Sequence, residues 1–152
     1  MAITVVLVVW TGFILCVSPA FATLGEPTTT INIDVAKLKA SQKPMVTSEK
    51  YTVHEMIADG NTIREYSNSD GIVFAVSWRG ISKPDLSILF GTYFNEYIST
   101  IEKSTKQHGK RSVSMETSKI VLKRGGRMRD QRGFAYVPSL VPVDLNVEDL
   151  SQ

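Results

Sequence analysis

The sequence predicts an α+β domain in which an antiparallel sheet of about five strands carries one long helix on one face. Three observations predict this class. Short stretches of alternating apolar residues are separated by turn residues, a pattern typical of antiparallel strands. One apolar stripe at helical spacing runs from Leu86 to Ile101. The 152 residues are 43% hydrophobic and 21% charged, which suits a single packed domain.

Residues 1–22 are predicted to be a signal peptide. An apolar run is followed by the small-x-small pattern of Ala20 and Ala22, after which signal peptidase cuts, so we expect cleavage after Ala22. The first four residues contain no Lys or Arg, which leaves open an uncleaved anchor or a true start further upstream. The sequence therefore predicts an exported protein, periplasmic or secreted, with no membrane span after cleavage.

Residues 23–50 are predicted to be a lead-in to the domain, because they contain few signals of regular structure. The pattern over 34–40 favours a short helix with Val35 and Leu38 facing inward. Such a helix is too short to be stable alone.

The domain itself is predicted over 51–143, and it opens with a three-strand meander. The strands are expected at 51–58, 61–67 and 72–79, and an Asp-Gly turn and an Asn-Ser-Asp-Gly turn join them. On the third strand one face carries the larger side chains and should meet the helix. These larger residues are Ile72, Phe74, Val76 and Trp78.

The long helix is expected to follow at once. Ser82 and Asp85 have the spacing of a capping box, and Pro84 falls in the expected first turn. Together with Trp78 and Gly80, these residues form the joint between strand and helix. The apolar stripe consists of Leu86, Leu89, Phe90, Tyr93, Phe94, Tyr97, Ile98 and Ile101. A stripe this wide is expected to pack on the sheet rather than to bind a partner.

A hairpin is predicted to complete the sheet, with strands at 112–123 and 127–137. Gly125 and Gly126 are expected to form its turn, and a shift of the apolar phase near Ser118 suggests a bulge. The remaining residues, 144–152, are predicted to be a short acidic tail. The position of the last two strands relative to the meander cannot be derived from the sequence.

Catalytic, metal and cofactor sites are not predicted. Cys16 is the only cysteine and lies in the signal peptide, which excludes cysteine catalysis and Cys-ligated zinc in the processed chain. His54 and His108 lie on separate predicted elements, and a metal site needs three or four converging ligands. No nucleophile motif or phosphate-binding loop occurs. Trp78 and its neighbour Arg79 could stack on a ligand, but a core position is favoured for Trp78.

The charge distribution is asymmetric. Residues 106–132 include nine basic residues and only two acidic ones, Glu116 and Asp130. The rest of the chain has thirteen acidic and eight basic residues. Two interpretations stand: a solvated hairpin whose edge is protected by charge, or a contact surface for an anionic partner. The candidate contact residues crowd the expected turn, and they are Lys123, Arg124, Arg127 and Arg129.

Several short motifs resemble a family of small exported bacterial proteins, domain of unknown function 2844. They are Ala-Thr-Leu-Gly at 22–25, Trp78-Arg79-Gly80, Pro84-Asp85-Leu86, Leu89-Phe90-Gly91, Tyr93-Phe94, Gly125-Gly126-Arg127-Met128-Arg129 and Gly133-Phe134-Ala135-Tyr136-Val137-Pro138. The resemblance covers nearly the whole processed chain. It implies a Gram-negative exported protein, and it brings no assigned activity and no catalytic residue.

Two functions from different classes are compatible with these patterns. The first is a non-catalytic binding or accessory module whose partner is an anionic envelope component or an acidic protein face; export argues against nucleic acid. The alternative is a hydrolase of an envelope polymer that uses surface carboxylates, with Glu55, Glu65 and Asp70 as the acids on neighbouring strands. A cleft holding two acids would favour the hydrolase, and a filled sheet–helix core would favour the module. The oligomeric state cannot be derived from the sequence.

Overall fold

The computed structural model describes residues 24–103 and 112–151 and shows an α+β fold built on an antiparallel sheet of eight strands. The predicted class is confirmed, but the sheet is larger than the predicted five strands. The strands are β1 (Ser41–Gln42), β2 (Val46–Thr47), β3 (Thr52–Ala58), β4 (Asn61–Ser67), β5 (Val73–Gly80), β6 (Ser112–Glu116), β7 (Val121–Arg127) and β8 (Asp130–Tyr136). The helices are α1 (Ile31–Lys37), α2 (Leu86–Phe90) and α3 (Phe94–Lys103).

The strand order is β1-β3-β4-β5-β8-β7-β6, and β2 also pairs with β3. The last strand in sequence, β8, therefore lies between β5 and β7 and connects the meander to the rest of the sheet. The meander agrees with the prediction, including its first turn. Asp59 and Gly60 both have positive φ, at 48° and 74°, and they connect the directly paired residues Ala58 and Asn61.

A β-bulge changes which residues of β5 face the helices. Tyr66 pairs with Ala75 and Ser67 pairs with Val73, so Phe74 is an extra residue without a partner across the ladder. Phe74 consequently lies on the sheet face away from the helices, and its predicted position against the helix is wrong. Val73, predicted on the opposite face, packs on the helix side instead.

The predicted long helix is interrupted. Gly91 has φ 44° and ψ −116°, and a short 3₁₀ turn, Gly91–Tyr93, separates α2 from α3. The helix also starts later than predicted, because Asp85 rather than Ser82 is the N-cap: the Asp85 side chain accepts a hydrogen bond from the Ser87 backbone N–H. Pro84 therefore precedes the cap instead of lying in the first turn.

A Gly91→Ala variant is expected to lose about 1–3 kcal/mol of unfolding free energy, because an L-residue is strained at this backbone conformation. In an uninterrupted helix the same change would stabilise the protein by about 1 kcal/mol. Denaturant unfolding measures the sign of the effect. A stabilised variant would show that residues 86–103 form one continuous helix.

The predicted two-strand hairpin is wrong, because three strands lie in its place. The phase shift near Ser118 marks a turn, not a bulge: the Ile120 backbone N–H donates to the Thr117 side chain, which separates β6 from β7. Gly125 and Gly126 lie within β7, and the turn is formed instead by Met128 and Arg129.

Two hydrophobic clusters hold the fold together. We call the first the inner cluster; it lies between the sheet and the helices and includes Trp78, Phe90 and Leu122. The second, the outer cluster, lies on the opposite face of the sheet, which we call the outer face, where the C-terminal segment packs on Tyr66 and Phe74. The sheet is therefore covered on both sides over much of its area.

The predicted lead-in is part of the domain. Leu24 is buried in the inner cluster, and its backbone N–H donates to the Leu89 carbonyl. Val35 of α1 and Leu38, the residue that caps its C-terminus, pack against the same cluster as predicted, although α1 begins three residues earlier than the helix predicted at 34–40. No helix in residues 24–103 or 112–151 is both long and apolar enough to cross a membrane. The predicted signal peptide, with Ala20 and Ala22, lies outside the described residues.

Candidate functional site

An open cleft of about 590 Å³ lies on the outer face at the end of the sheet formed by β6, β7 and β8. Lys123, Arg127 and Arg132 surround it, and Ser112 and Ser114 lie along the β6 side. We call this cleft, with its three cationic side chains, the basic cleft.

Strand register explains how the basic cleft forms. Gly125 pairs with Ser112 on one side and with Arg132 on the other, so a residue without a side chain lies at the centre. Lys123 and Arg127 lie two residues before and after Gly125, about 7 Å away in each direction along the strand, and they share its face. The glycine leaves the floor open while the neighbouring positions supply positive charge.

The ion pairs around the cleft are exposed. The Lys123 ammonium lies 2.5 Å from a carboxylate oxygen of Glu148 in the C-terminal segment, which raises the pKa of Lys123 above its usual value. Asp130 lies 3.4 Å from the guanidinium groups of both Arg79 and Arg132. Two carboxylates thus partly offset the positive charge of this face.

The four predicted contact residues do not share one surface. Lys123 and Arg127 lie in the basic cleft. Arg124 points to the helix side, and its buried Nε has no hydrogen-bond partner among the described residues. Arg129, which the predicted strand at 127–137 would place on the same face as Arg127, lies instead in the turn with φ 63°, so that placement is wrong. Three further basic residues of the charged stretch lie outside the described residues: Lys106, Lys110 and Arg111.

Arg132 was missing from the predicted contact set, although a signal for it was present. Within the strand predicted at 127–137, alternation places Arg132 on the same face as Phe134 and Tyr136. The predicted turn at Gly125 and Gly126 placed Arg132 several residues along the second strand, away from the residues that flank the turn.

The joint between strand and helix is structural. Trp78 is 2% exposed, and its ring centroid lies 6.0 Å from that of Phe90. A side chain at Gly80 would overlap Asn61, whose amide also donates to the Ser82 hydroxyl over 3.1 Å. The Trp78 ring is therefore enclosed and offers no face on which a ligand could stack.

The three carboxylates of the hydrolase alternative do not converge. Glu55 lies on the outer face, where its two oxygens bind Lys43 at 2.5 Å and Arg64 at 2.7 Å, and these cations hold its pKa below the usual value. Glu65 lies on the helix side, 1% exposed, and Asp70 is exposed in a turn. Their positions provide no pair of acids around one cleft.

A buried pair of carboxyl groups was not anticipated from the sequence. Asp34 of α1 and Glu65 of β4 are 0% and 1% exposed. Both Asp34 oxygens and Oε2 of Glu65 lack hydrogen-bond partners among the described residues. Burial raises the pKa of Asp34 to about 7, and burial together with the Asp34 charge raises the pKa of Glu65 to about 8. Glu65 is therefore largely protonated at neutral pH, whereas Asp34 changes its protonation state close to neutral pH.

The described residues contain no group of three or more His, Cys, Asp or Glu side chains that could hold a metal ion. His54 is nearly buried and lies 3.2 Å from the Ser67 hydroxyl, and burial lowers its pKa. His108 lies outside the described residues.

Comparison with known proteins gives one match. A family model described as "Protein of unknown function (DUF2844)" matches residues 20–150. No curated protein and no solved structure matches the chain.

Proposed function

The chain belongs to the DUF2844 family, which has no assigned activity, and we propose that it is an exported, non-catalytic binding module whose basic cleft binds an anionic partner. One observation carries this proposal: three cationic side chains, Lys123, Arg127 and Arg132, surround an open cleft with a glycine floor. Such an arrangement attracts negative charge and leaves room for it to approach the backbone.

The positions of the acids proposed for the hydrolase support binding rather than hydrolysis. Hydrolysis of a glycosidic polymer by carboxylates usually uses two carboxyl groups that flank the scissile bond. Glu55 is neutralised by two cations, and Glu65 is enclosed in the core. The helix side of the sheet is filled by the inner cluster, which favours the module over the hydrolase.

Export supports a partner in the periplasm or outside the cell. The proposal of export rests on the apolar N-terminal run and on the pattern at Ala20 and Ala22. Anionic groups in these compartments include lipid headgroups, acidic polysaccharides and acidic protein surfaces. All three share the chemistry that the basic cleft recognises.

The exposure of the cleft's charges sets the expected strength of binding. Exposed ion pairs contribute only about 0.2–1 kcal/mol each, and salt screens them. Three such pairs therefore predict modest affinity at low salt and a steep loss at physiological ionic strength.

A Lys123→Ala, Arg127→Ala, Arg132→Ala variant is expected to bind anionic probes about tenfold more weakly than the wild type at low salt, because three exposed pairs are lost. Binding is measured with phosphatidylglycerol vesicles, polygalacturonate and poly-L-glutamate, using protein purified from cells that express the full chain. Repeating the titrations at 150 mM salt tests the electrostatic origin.

The matched control removes the same charge elsewhere. Lys39, Lys103 and Lys119 are exposed and lie away from the basic cleft, and their triple Ala variant changes the net charge equally. We expect the control to bind nearly as well as the wild type. Equal loss in both variants would assign binding to net charge alone and reject the basic cleft as the docking site.

A further inference from the structure

The C-terminal tail, Asp144–Leu150, already lies on the outer face beside the basic cleft. Leu150 is 6% exposed and packs in the outer cluster, and its carbonyl accepts a hydrogen bond from the Tyr66 hydroxyl over 3.2 Å. At the start of the tail, the Asp144 carbonyl accepts from the Lys50 ammonium over 2.8 Å. The tail is thus held at both ends by contacts to its backbone and by an apolar anchor.

Between these anchors the tail places a carboxylate on the basic cleft. Glu148 meets Lys123 at 2.5 Å, and the two side chains retain 62% and 50% of their exposure. A pair this exposed exchanges readily with competing anions in solution. Lys123 therefore lies in the basic cleft and, at the same time, pairs with the tail through a contact that solvent reaches.

We propose that the partner of the basic cleft is an acidic polypeptide segment, and that it competes with Glu148 of the protein's own tail for Lys123. This inference rests on the proposed function and names the partner class for the same site. The tail shows which groups can bind to this face. Its Glu148 carboxylate pairs with Lys123, and its Leu150 side chain packs in the outer cluster nearby.

Two features favour a polypeptide over a lipid surface or a glycan. Leu150 of the tail fills an apolar site on the same face as Lys123, so a segment that takes the tail's place with an acidic and an apolar residue at this spacing would meet the same two sites. The Tyr66 hydroxyl and the Lys50 ammonium, which donate to main-chain carbonyls of the tail, would donate to the carbonyls of that segment. A flat bilayer would also clash with the tail, which lies on the outer face.

The test removes the competing carboxylate. A Glu148→Gln variant is expected to bind poly-L-glutamate about two- to fivefold more tightly than the wild type, because an exposed pair of this kind is lost from the free state. The matched control is Asp149→Asn, which removes the same charge from the neighbouring position, where the side chain contacts Asn146 rather than Lys123. We expect the control to change the affinity much less.

A second pair of variants tests whether Lys123 carries the effect. In a Lys123→Ala background, Glu148→Gln should no longer increase the affinity, so the two changes are coupled. Equal gains in Glu148→Gln and Asp149→Asn, or a gain that persists without Lys123, would overturn the competition.

Tighter binding of vesicles or polygalacturonate than of poly-L-glutamate would overturn the partner class and leave the basic cleft intact. Failure of the wild type to bind any of the three probes would reject the proposed function as well.

Discussion

A Glu65→Gln variant is expected to be more stable than the wild type at pH 8 and to differ little from it at pH 4. In the folded protein, burial and the neighbouring Asp34 raise the pKa of Glu65 from 4.5 to about 8, so the folded chain holds a proton that the unfolded chain releases. The stability of the wild type therefore falls as pH rises from about 4.5 to about 8. With about 1.4 kcal/mol per pKa unit, the variant should gain on the order of 4 kcal/mol at pH 8, less the cost of any unpaired amide hydrogen.

The measurement is urea unfolding of wild type and variant from pH 4 to pH 9. His54 has a pKa lowered by burial, so its contribution to stability is lost as pH falls. Because His54 lies directly opposite Glu65 across β3 and β4, the gain is read near pH 8, where the imidazole is neutral in both the folded and the unfolded chain. Parallel stability profiles would show that Glu65 is solvated or paired in the folded protein.

An Asp34→Asn variant should give a similar profile shifted to lower pH, since the pKa of Asp34 is raised to about 7.

The meander was predictable because local and tertiary signals agree there. Asp59 and Gly60 form the turn that their residue types favour, and the alternation on either side places apolar residues inward. The bulge at Phe74 was not predictable, because an extra residue in one strand reverses the face of every residue before it. Only the pairing with β4 fixes where that residue lies.

Two further errors involve glycine, because one residue type serves several backbone roles. Gly91 falls inside the predicted long helix, but its positive φ ends α2 and leads into the 3₁₀ turn before α3. Gly126 was expected in a turn, yet it allows close approach within a ladder, since a side chain there would overlap the Asp130 backbone. The surrounding sequence does not distinguish these roles.

The sequence predicted which stretch of the chain contains the candidate site, but not which of its side chains lie together on one surface. The excess of Lys and Arg between 106 and 132 indicated the correct end of the chain. Which of these side chains meet depends on strand register, and a turn placed three residues too early separated Arg132 from Lys123 and Arg127. The contribution of Glu148 is a contact between distant parts of the chain, which composition does not reveal.

A Trp78→Ala variant is expected to lose about 3–5 kcal/mol of unfolding free energy, which is the usual cost of removing a large buried aromatic side chain. Trp78 is 2% exposed, and it links β5 to α2 through its contact with Phe90. Denaturant unfolding measures the loss. A loss below about 1 kcal/mol would place the ring at the surface and restore the ligand-stacking interpretation.

Gly133 provides a second test of the same packing. It pairs with Trp78 across β5 and β8, and a Cβ atom at Gly133 would overlap the indole ring. A Gly133→Ala change should therefore destabilise the wild type by about 1–3 kcal/mol through overpacking. In the Trp78→Ala background the space of the indole ring is empty. The same methyl group should then lower the unfolding free energy only slightly, or even raise it. The double-mutant cycle measures this coupling directly, and additive effects would show that the two residues do not touch.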